Sequence, residues 1–403
     1  MSSKETLGKG DWRAAVELLI RWEKGAGHLD DLLESVDPGR LRWLVMEVFR
    51  RWLVIGALLE GRMRREPRPK VRQLLRLALG ESLAHPEESA KVVHHAGELG
   101  GILGLSPAER GFVNAVLRSC LRAGLPDAAE VEASHPEWMV ERWREQFGQE
   151  ATRRLLQWNQ EAGSLYIHSP VCPAYAETTE WPNYYRVPPG RFREALPDLS
   201  HGSAYVQDPF ARIPVELLDP QPGERVLDLC AAPGGKTRLI AGAMKGKGTL
   251  TAVDRPGPRM ERLRENISKI PGKSVAVLAE AVENLRPSPF GGPVDGLLID
   301  VPCSNTGVMQ KRPDVKLRLR REDIDTQASC QLKLLHHAAK LVRPGGRLVY
   351  STCSLEAEEN ELLVAAFLES SPHWHLGRSV LSRPWECHHD GGGAFLLTRE
   401  MSR

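Results

Sequence analysis

The sequence has no run of about 18 uncharged apolar residues, the length a membrane-spanning helix needs. Its first residues, MSSKETLGKGDW, lack the apolar segment of a secretory leader. Neither a membrane partner nor export is expected, and the expected location is the cytoplasm. An excess of one charge is missing too. With 54 basic and 52 acidic residues the formal charge is +2, so a polyanionic partner would have to be recognised by local clusters. Cysteine is sparse and odd in number: seven, at 120, 172, 230, 303, 330, 353 and 387. That scatter excludes a disulfide framework and suits a reducing compartment. Internal repeats and low-complexity tracts are absent, and 403 residues suffice for two or three domains with their own cores.

From Asp11 to about Arg122 the apolar period is helical. AAVELLIRW, LRWLVMEVFRRWLVIGALLEG and VRQLLRLALGESLA place apolar residues at i, i+3, i+4 and i+7, with charges between them. Pro86 opens one further helical stretch. Ser106-Pro107, ahead of AERGFVNAVLRSCL, offers a capping hydroxyl and a proline at the first helical position. Residues 1–125 are expected to form an all-α bundle of five or six helices. Residues 126–202 read as a helical connector, with Ser134 able to cap HPEWMVERWREQF, followed by a small irregular α+β segment rich in proline and tyrosine. In 203–403 the apolar runs RVLDLC, TLTAVD, SVAVLA, GLLID and RLVYSTC alternate with helical stretches. That alternation predicts a doubly wound parallel sheet covered on both faces, an α/β Rossmann-like domain.

In such sheets ligands lie at the carboxyl ends of the strands, where a glycine-rich turn meets a helix N-terminus. DLCAAPGGKT (228–237) is such a turn. It lacks the leading glycine of a phosphate-binding P-loop, whose place Cys230 takes, and it lacks the dinucleotide fingerprint G-x-G-x-x-G. The remaining reading is an S-adenosylmethionine loop running Cys230, Ala231, Ala232, Pro233, Gly234, Gly235, Lys236. Asp254, at the end of TLTAVD, stands where a carboxylate can accept both ribose hydroxyls.

Two cysteines follow strand ends on the same edge, Cys303 in DVPCSNTG and Cys353 in YSTCS. Carbon 5 of a pyrimidine is too poor a nucleophile to take a methyl group until a thiolate adds to carbon 6. One of these cysteines can attack and the other can serve when the C5 proton leaves and the thiolate is expelled. Cys120 and Cys330 read as buried small hydrophobes.

PGERVLDLCAAPGGKT, DVPCSNTG, KRPD and VYSTCSLEAEENE resemble the signature motifs of the Nol1/Nop2/Sun family of RNA 5-methylcytosine methyltransferases. YVQDPFARIPVELL and HHDGGGAFLLTRE extend the similarity to roughly residues 203–400. RGFVNAVLR and SHPEWMVERW resemble the NusB-like RNA-binding domain of the bacterial subgroup that modifies small-subunit ribosomal RNA. The resemblance implies a NusB-like bundle joined to a class I S-adenosylmethionine-dependent methyltransferase domain. It implies Cys353 as nucleophile and Cys303 as the group assisting release, with cofactor held by the loop 230–236, Asp254 and Asp300. Asp300, joined by Lys236, would meet the cytosine's polar edge. Where the family usually has Gly-Asp after its third strand, this chain has Ala279-Glu280, so either Glu280 with its longer side chain or a water would have to reach the adenine. The family's Arg-Val-Asn segment is not found in LYIHSPVCPAYAETTEW.

The implied partner is RNA, 16S ribosomal RNA or a small-subunit assembly particle, bound by a monomer. Another RNA such as tRNA, DNA methylation through Cys303, and a non-catalytic assembly factor are the alternatives. Two basic runs could track phosphates: RMRREPRPKVRQLLR (62–76) and KRPDVKLRLRRE (311–322), the second better placed beside the Cys303 motif. CHHD (387–390) has no second ligand pair, so no metal is expected.

Overall fold

The computed structural model describes residues 9–33, 36, 39–63, 65–124, 128–270 and 275–401. The chain divides into two compact units, one of residues 1–162 with 309–318, the other of 163–308 with 319–403. The limit between 125 and 126, Arg64 of the first basic run and Ser274 of the third strand lie outside the described residues.

Among the described residues the helical unit holds seven α-helices between Lys9 and Arg122, one or two more than the periodicity suggests. The run from Leu41 to Gly61, periodic throughout, divides at Arg51 into Arg40–Arg50 and Trp52–Leu59. Trp12, Leu19, Leu44, Phe49, Leu75 and Leu117 are among its buried core residues. Each such side chain contributes roughly 1.5–3 kcal/mol through removal from water. Ser106 caps Pro107–Arg122 as its sequence predicts: its hydroxyl accepts from the Glu109 N–H and the Glu109 carboxylate accepts from the Ser106 N–H. Ser134 does not cap. Glu137–Phe147 starts after Pro136 without a side-chain cap, and the Ser134 hydroxyl donates to Val131 O instead. This helix and Gln149–Gln160 belong to the helical unit, as does Met309–Arg318 from far along the chain.

In the second unit, β1 (Leu165–His168), β2 (Glu177–Thr178), β3 (Tyr184–Val187) and β4 (Tyr205–Val206) form a small antiparallel sheet in the order β2-β3-β1-β4. The larger sheet comprises β5 (Arg225–Leu229), β6 (Thr249–Asp254), β7 (Val275–Ala279), β8 (Val294–Asp300), β9 (Val342–Thr352), β10 (Trp374–Ser382) and β11 (Gly392–Arg399). Their order is β10-β11-β9-β8-β5-β6-β7. The five predicted strands are parallel, but β11 pairs antiparallel with β9 and with β10, so the sheet is mixed and not wholly parallel. Side-chain alternation along β5 sorts the layers. Leu227 and Leu229 join the core with Leu334, Leu335 and Ala338 of the helix Arg321–Ala339. Val226 joins the opposite core with Ile240 and Met244 of the helix Gly235–Met244 and Leu263 of Pro258–Ser268. Asp228 shares that second face. The strand order reverses between β5 and β8, where a doubly wound sheet opens a crevice.

Candidate active site

The turn after β5 is tightly constrained. Cys230 has φ +57° and Gly234 φ +105°, both in the left-handed region, which the missing Cβ of Gly234 makes accessible at no steric cost. Gly235 starts the next helix so close to the chain of β4 that a Cβ there would lie 2.7 Å from the Gln207 amide nitrogen and 3.2 Å from the Tyr205 ring. Asp254, the last residue of β6, ties the turn to the sheet: its carboxylate accepts the Ala232 N–H and the Arg255 N–H, each at 2.8 Å. Each carboxylate oxygen keeps a further lone pair for a ligand. Pro233 O and Ala232 O accept from Asn266 and Arg259 of the helix Pro258–Ser268.

A cavity of about 180 Å³ lies against this turn, lined by Cys230–Pro233, Gly235, Lys236, Asp228 and Asp300, together with Tyr205 and Gln207. Lys236 Nζ is 2.6 Å from Asp300 Oδ2, and Ser351 donates to Asp300 Oδ1 at 3.0 Å. Burial disfavours the charged lysine, but the Asp300 carboxylate outweighs it and holds the Lys236 pKa above its ordinary value; Cys353 adds to that effect. Asp228 is fully buried. Thr237 donates to its Oδ2 at 2.5 Å, while its Oδ1 has no partner among the described residues. Burial pushes the Asp228 carboxyl up to about 7. An unpartnered carboxylate oxygen lining a cavity beside a second carboxylate fits a ligand with a cationic head and a ribose.

The thiols meet. Asp300 and Ser351 are register partners on adjacent parallel strands, which brings the loops after β8 and β9 side by side. Cys303 Sγ lies 3.2 Å from Cys353 Sγ, and Cys353 Sγ is 3.2 Å from Asn305 Oδ1. Neither thiol lines the cavity at the glycine turn. The contact with Cys353 and burial together raise the Cys303 pKa well above its ordinary value.

A buried polar network fixes the two loops. Glu359 accepts from the Ser304 N–H at 2.9 Å, the Ser304 hydroxyl and Gln331 Nε2 at 2.8 Å. Gln331 also donates to Pro302 O, and Tyr350 donates to Gln331 Oε1 and Glu359 O. Ser304 and Ser354 hydroxyls are 2.9 Å apart. Asn360 donates to Ser354 O and Glu356 O, and Thr352 donates to Asn360. The motif VYSTCSLEAEENE contains most of these residues, but its polarity alone does not say which of them are buried.

Glu280 follows β7, away from the cavity lining. Its Oε1 accepts from Ala281 N and Asn284 Nδ2, and its main-chain N–H donates to Asp254 O. The basic runs are partly engaged in contacts within the protein. In the second run, Lys316 is buried, donating to Arg50 O at 2.6 Å, with its pKa driven down by burial and then by Arg50 and Arg51. Arg312 pairs with Asp30, and Arg318 with Asp314. These side chains join helices of their own unit, and Arg312, Arg320 and Arg321 are the exposed basic members. In the first run, Arg68 pairs with Glu109, Arg72 with Glu23 and Glu66, and Arg76 stacks 3.7 Å over the Trp52 ring. Cys330 is exposed, not core: it sits on the solvent side of Arg321–Ala339, while Cys120 is buried. Cys387 and His389 of CHHD are 3.4 Å apart, and no group of three metal-binding side chains occurs among the described residues.

A solved structure, the crystal structure of PH0851, covers 98% of this chain and 100% of its own at TM-score 0.78 and 24% identity, a likeness of fold. The crystal structure of a methyltransferase homolog protein from Pyrococcus horikoshii covers 73% of this chain and 100% of its own at TM-score 0.55 and 23% identity. The Bacillus subtilis (strain 168) protein named "Probable ribosomal RNA small subunit methyltransferase B" is 30% identical over 415 residues, spanning 92% of this chain and 90% of that one. The family model "16S rRNA methyltransferase RsmB/F" matches residues 215–391, which hold the glycine turn, Asp254, Asp300 and both thiols. The chain therefore belongs to the RsmB-type family of ribosomal RNA small subunit methyltransferases.

Proposed function

We propose that this protein transfers a methyl group from S-adenosyl-L-methionine to carbon 5 of a cytosine in 16S ribosomal RNA, through a covalent adduct with Cys353 that Cys303 helps release. Methyl transfer to small-subunit ribosomal RNA follows from the family. One observation supports the finer reading: two thiols 3.2 Å apart beyond adjacent strand ends, on the sheet edge that carries the glycine turn and the Lys236–Asp300 pair.

S-adenosyl-L-methionine supplies an electrophilic methyl group. The loop 230–236 and Asp254 hold it, with Asp254 accepting the ribose hydroxyls and Glu280 nearest the adenine side. Asp300 and Lys236 orient the cytosine. The Cys353 thiolate adds to carbon 6, forming a C–S bond and giving carbon 5 enamine character, so that carbon 5 takes the methyl. The C5 proton then leaves to a base and the C6–S bond breaks, restoring the aromatic ring. Cys303, whose pKa is raised by its contact with Cys353 and by its burial, is the poorer attacking thiolate and, once deprotonated, the stronger base for the C5 proton, which suits that second step better than attack. The helical unit is assigned as a NusB-like RNA-binding domain.

Bisulfite mapping of ribosomal RNA from cells with and without the gene tests this reading. Loss of one 5-methylcytosine from 16S RNA is expected. Unchanged 16S RNA with a loss in tRNA would move the substrate, and no change in any RNA would favour an assembly factor.

A further inference from the structure

The two basic runs are partly engaged within the helical unit, by the Arg68, Arg72, Arg312 and Arg318 ion pairs, and a further concentration of positive charge lies elsewhere on it. The helices Ser89–Ile102 and Pro107–Arg122 border a groove of about 750 Å³ into which Arg110, Arg118 and Arg122 project, with Asn114 and His94 as further polar groups and Glu98 as its one acidic side chain. Arg118 and Arg122 are exposed and carry no ion pair among the described residues, and Arg110 Nε is buried without a hydrogen-bond acceptor. The three arginines recur at i, i+8 and i+12. That spacing keeps them within one side of the helix, separated along its axis by about 12 Å and about 6 Å.

We infer that this groove is the site where the helical unit holds the phosphate backbone of the ribosomal RNA substrate. The argument is one of charge complementarity. Three guanidiniums against one carboxylate make a concave surface of positive sign, and guanidiniums offer the forked donors that phosphate oxygens accept. An acidic protein surface would also meet positive charge, but arginines distributed along one side of a helix can meet several phosphates of one extended strand. The inference rests on ribosomal RNA being the substrate, and it adds a place of contact to the exposed members of the two basic runs.

The test uses the full chain and a full-length 16S ribosomal RNA transcript, comparing wild type with R118A/R122A and R118K/R122K. Both positions are solvent-exposed, so the core is untouched. The alanine pair is expected to raise the KM for RNA at least about tenfold with kcat and cofactor affinity unchanged. It should also reduce the slope of log binding constant against log salt by about 1.4–1.8, two phosphate contacts at ~0.7–0.9 each. The lysine pair should restore most of the slope. An alanine pair with wild-type KM and salt slope overturns the groove, whatever the methylation result. An alanine pair that binds naked RNA normally but fails on the ribosomal particle overturns it in favour of a protein partner. Wild-type protein whose salt slope exceeds that of the alanine pair by the stated amount but which methylates no RNA overturns the proposed reaction and leaves the groove standing.

Discussion

Gly307 offers a sharp test of how the thiol loops are held. It lies in the turn after Cys303, its N–H donating to Cys353 O at 3.0 Å and its carbonyl accepting from Gly391 N–H at 2.9 Å. A Cβ at 307 would collide with the Gly391 carbonyl oxygen, 2.6 Å from its carbon and 2.9 Å from Cys353 O. These neighbours are all backbone, so no side chain can swing aside. Moving the Gly391 carbon from 2.6 Å to an ordinary carbon–carbon contact of roughly 3.5 Å requires about 0.9 Å of displacement between the Gly307 turn and the Gly391 segment, and the Cys353 carbonyl at 2.9 Å must give way as well. A misplacement near 1 Å in a reacting group costs about a hundredfold in rate, or ~2.7 kcal/mol of barrier. Overpacking of this kind costs about 1–3 kcal/mol in stability. G307A is therefore expected to bind S-adenosyl-L-methionine normally by calorimetry, to unfold at lower urea, and to lose about a hundredfold in single-turnover methylation. A folded G307A with a wild-type single-turnover rate would refute the reasoning, because it would show that the Cys353 loop tolerates the displacement.

Three further outcomes are expected. Asp254→Ala should raise the cofactor dissociation constant at least about tenfold, ~1.4 kcal/mol, in calorimetry, since it removes the proposed ribose acceptor and frees the Ala232 N–H; an unchanged constant counts against the cofactor placement. Asp228→Asn should flatten the pH dependence of stability: with the folded carboxyl near 7 and its ordinary value 3.8, the folded state retains a proton that the unfolded chain releases. Wild-type stability accordingly falls as pH rises from about 4 to 7, by at most roughly 4 kcal/mol, and urea unfolding at pH 5 and 7 should show the variant gaining on wild type at the higher pH. Glu359→Ala should loosen the thiol loops, leaving the Ser304 N–H without its acceptor and Gln331 Nε2 with only Pro302 O, at a cost of about 1–3 kcal/mol per unsatisfied donor; a melting temperature equal to wild type would show that the network is dispensable.

What the sequence makes legible follows from how each element is buried. Strands β5, β6, β8 and β9 are nearly continuous apolar runs because helices cover both their faces. The edge strand β10, WHLGRSVLS, is exposed along most of its length and carries no such signal. β11 stands in the sequence only as part of a motif, and with both strands unread the sheet looks parallel. The glycine turn, Asp254 and the pairing of Cys303 with Cys353 are readable from strand-end positions. Asp228, Tyr205 and Gln207 are not, because each lines the cavity through tertiary placement; YVQDPF was the available signal. Glu359 and Gln331 escape for a similar reason, being 55 and 28 residues from the side chains they hold. The run KRPDVKLRLRRE misleads because a charge pattern does not disclose partners: its Lys316 ends on the Arg50 carbonyl and its Arg312 on Asp30, both more than 260 residues away.

The division of labour between the thiols is tested most directly by covalent trapping. Cys303→Ala, incubated with S-adenosyl-L-methionine and 16S ribosomal RNA, should attack and transfer the methyl but fail to release, leaving a slow-migrating, nuclease-sensitive band on a denaturing gel. Cys353→Ala and the double variant should give no band, since trapping requires prior attack. A band from Cys353→Ala and none from Cys303→Ala would contradict the account and make Cys303 the nucleophile.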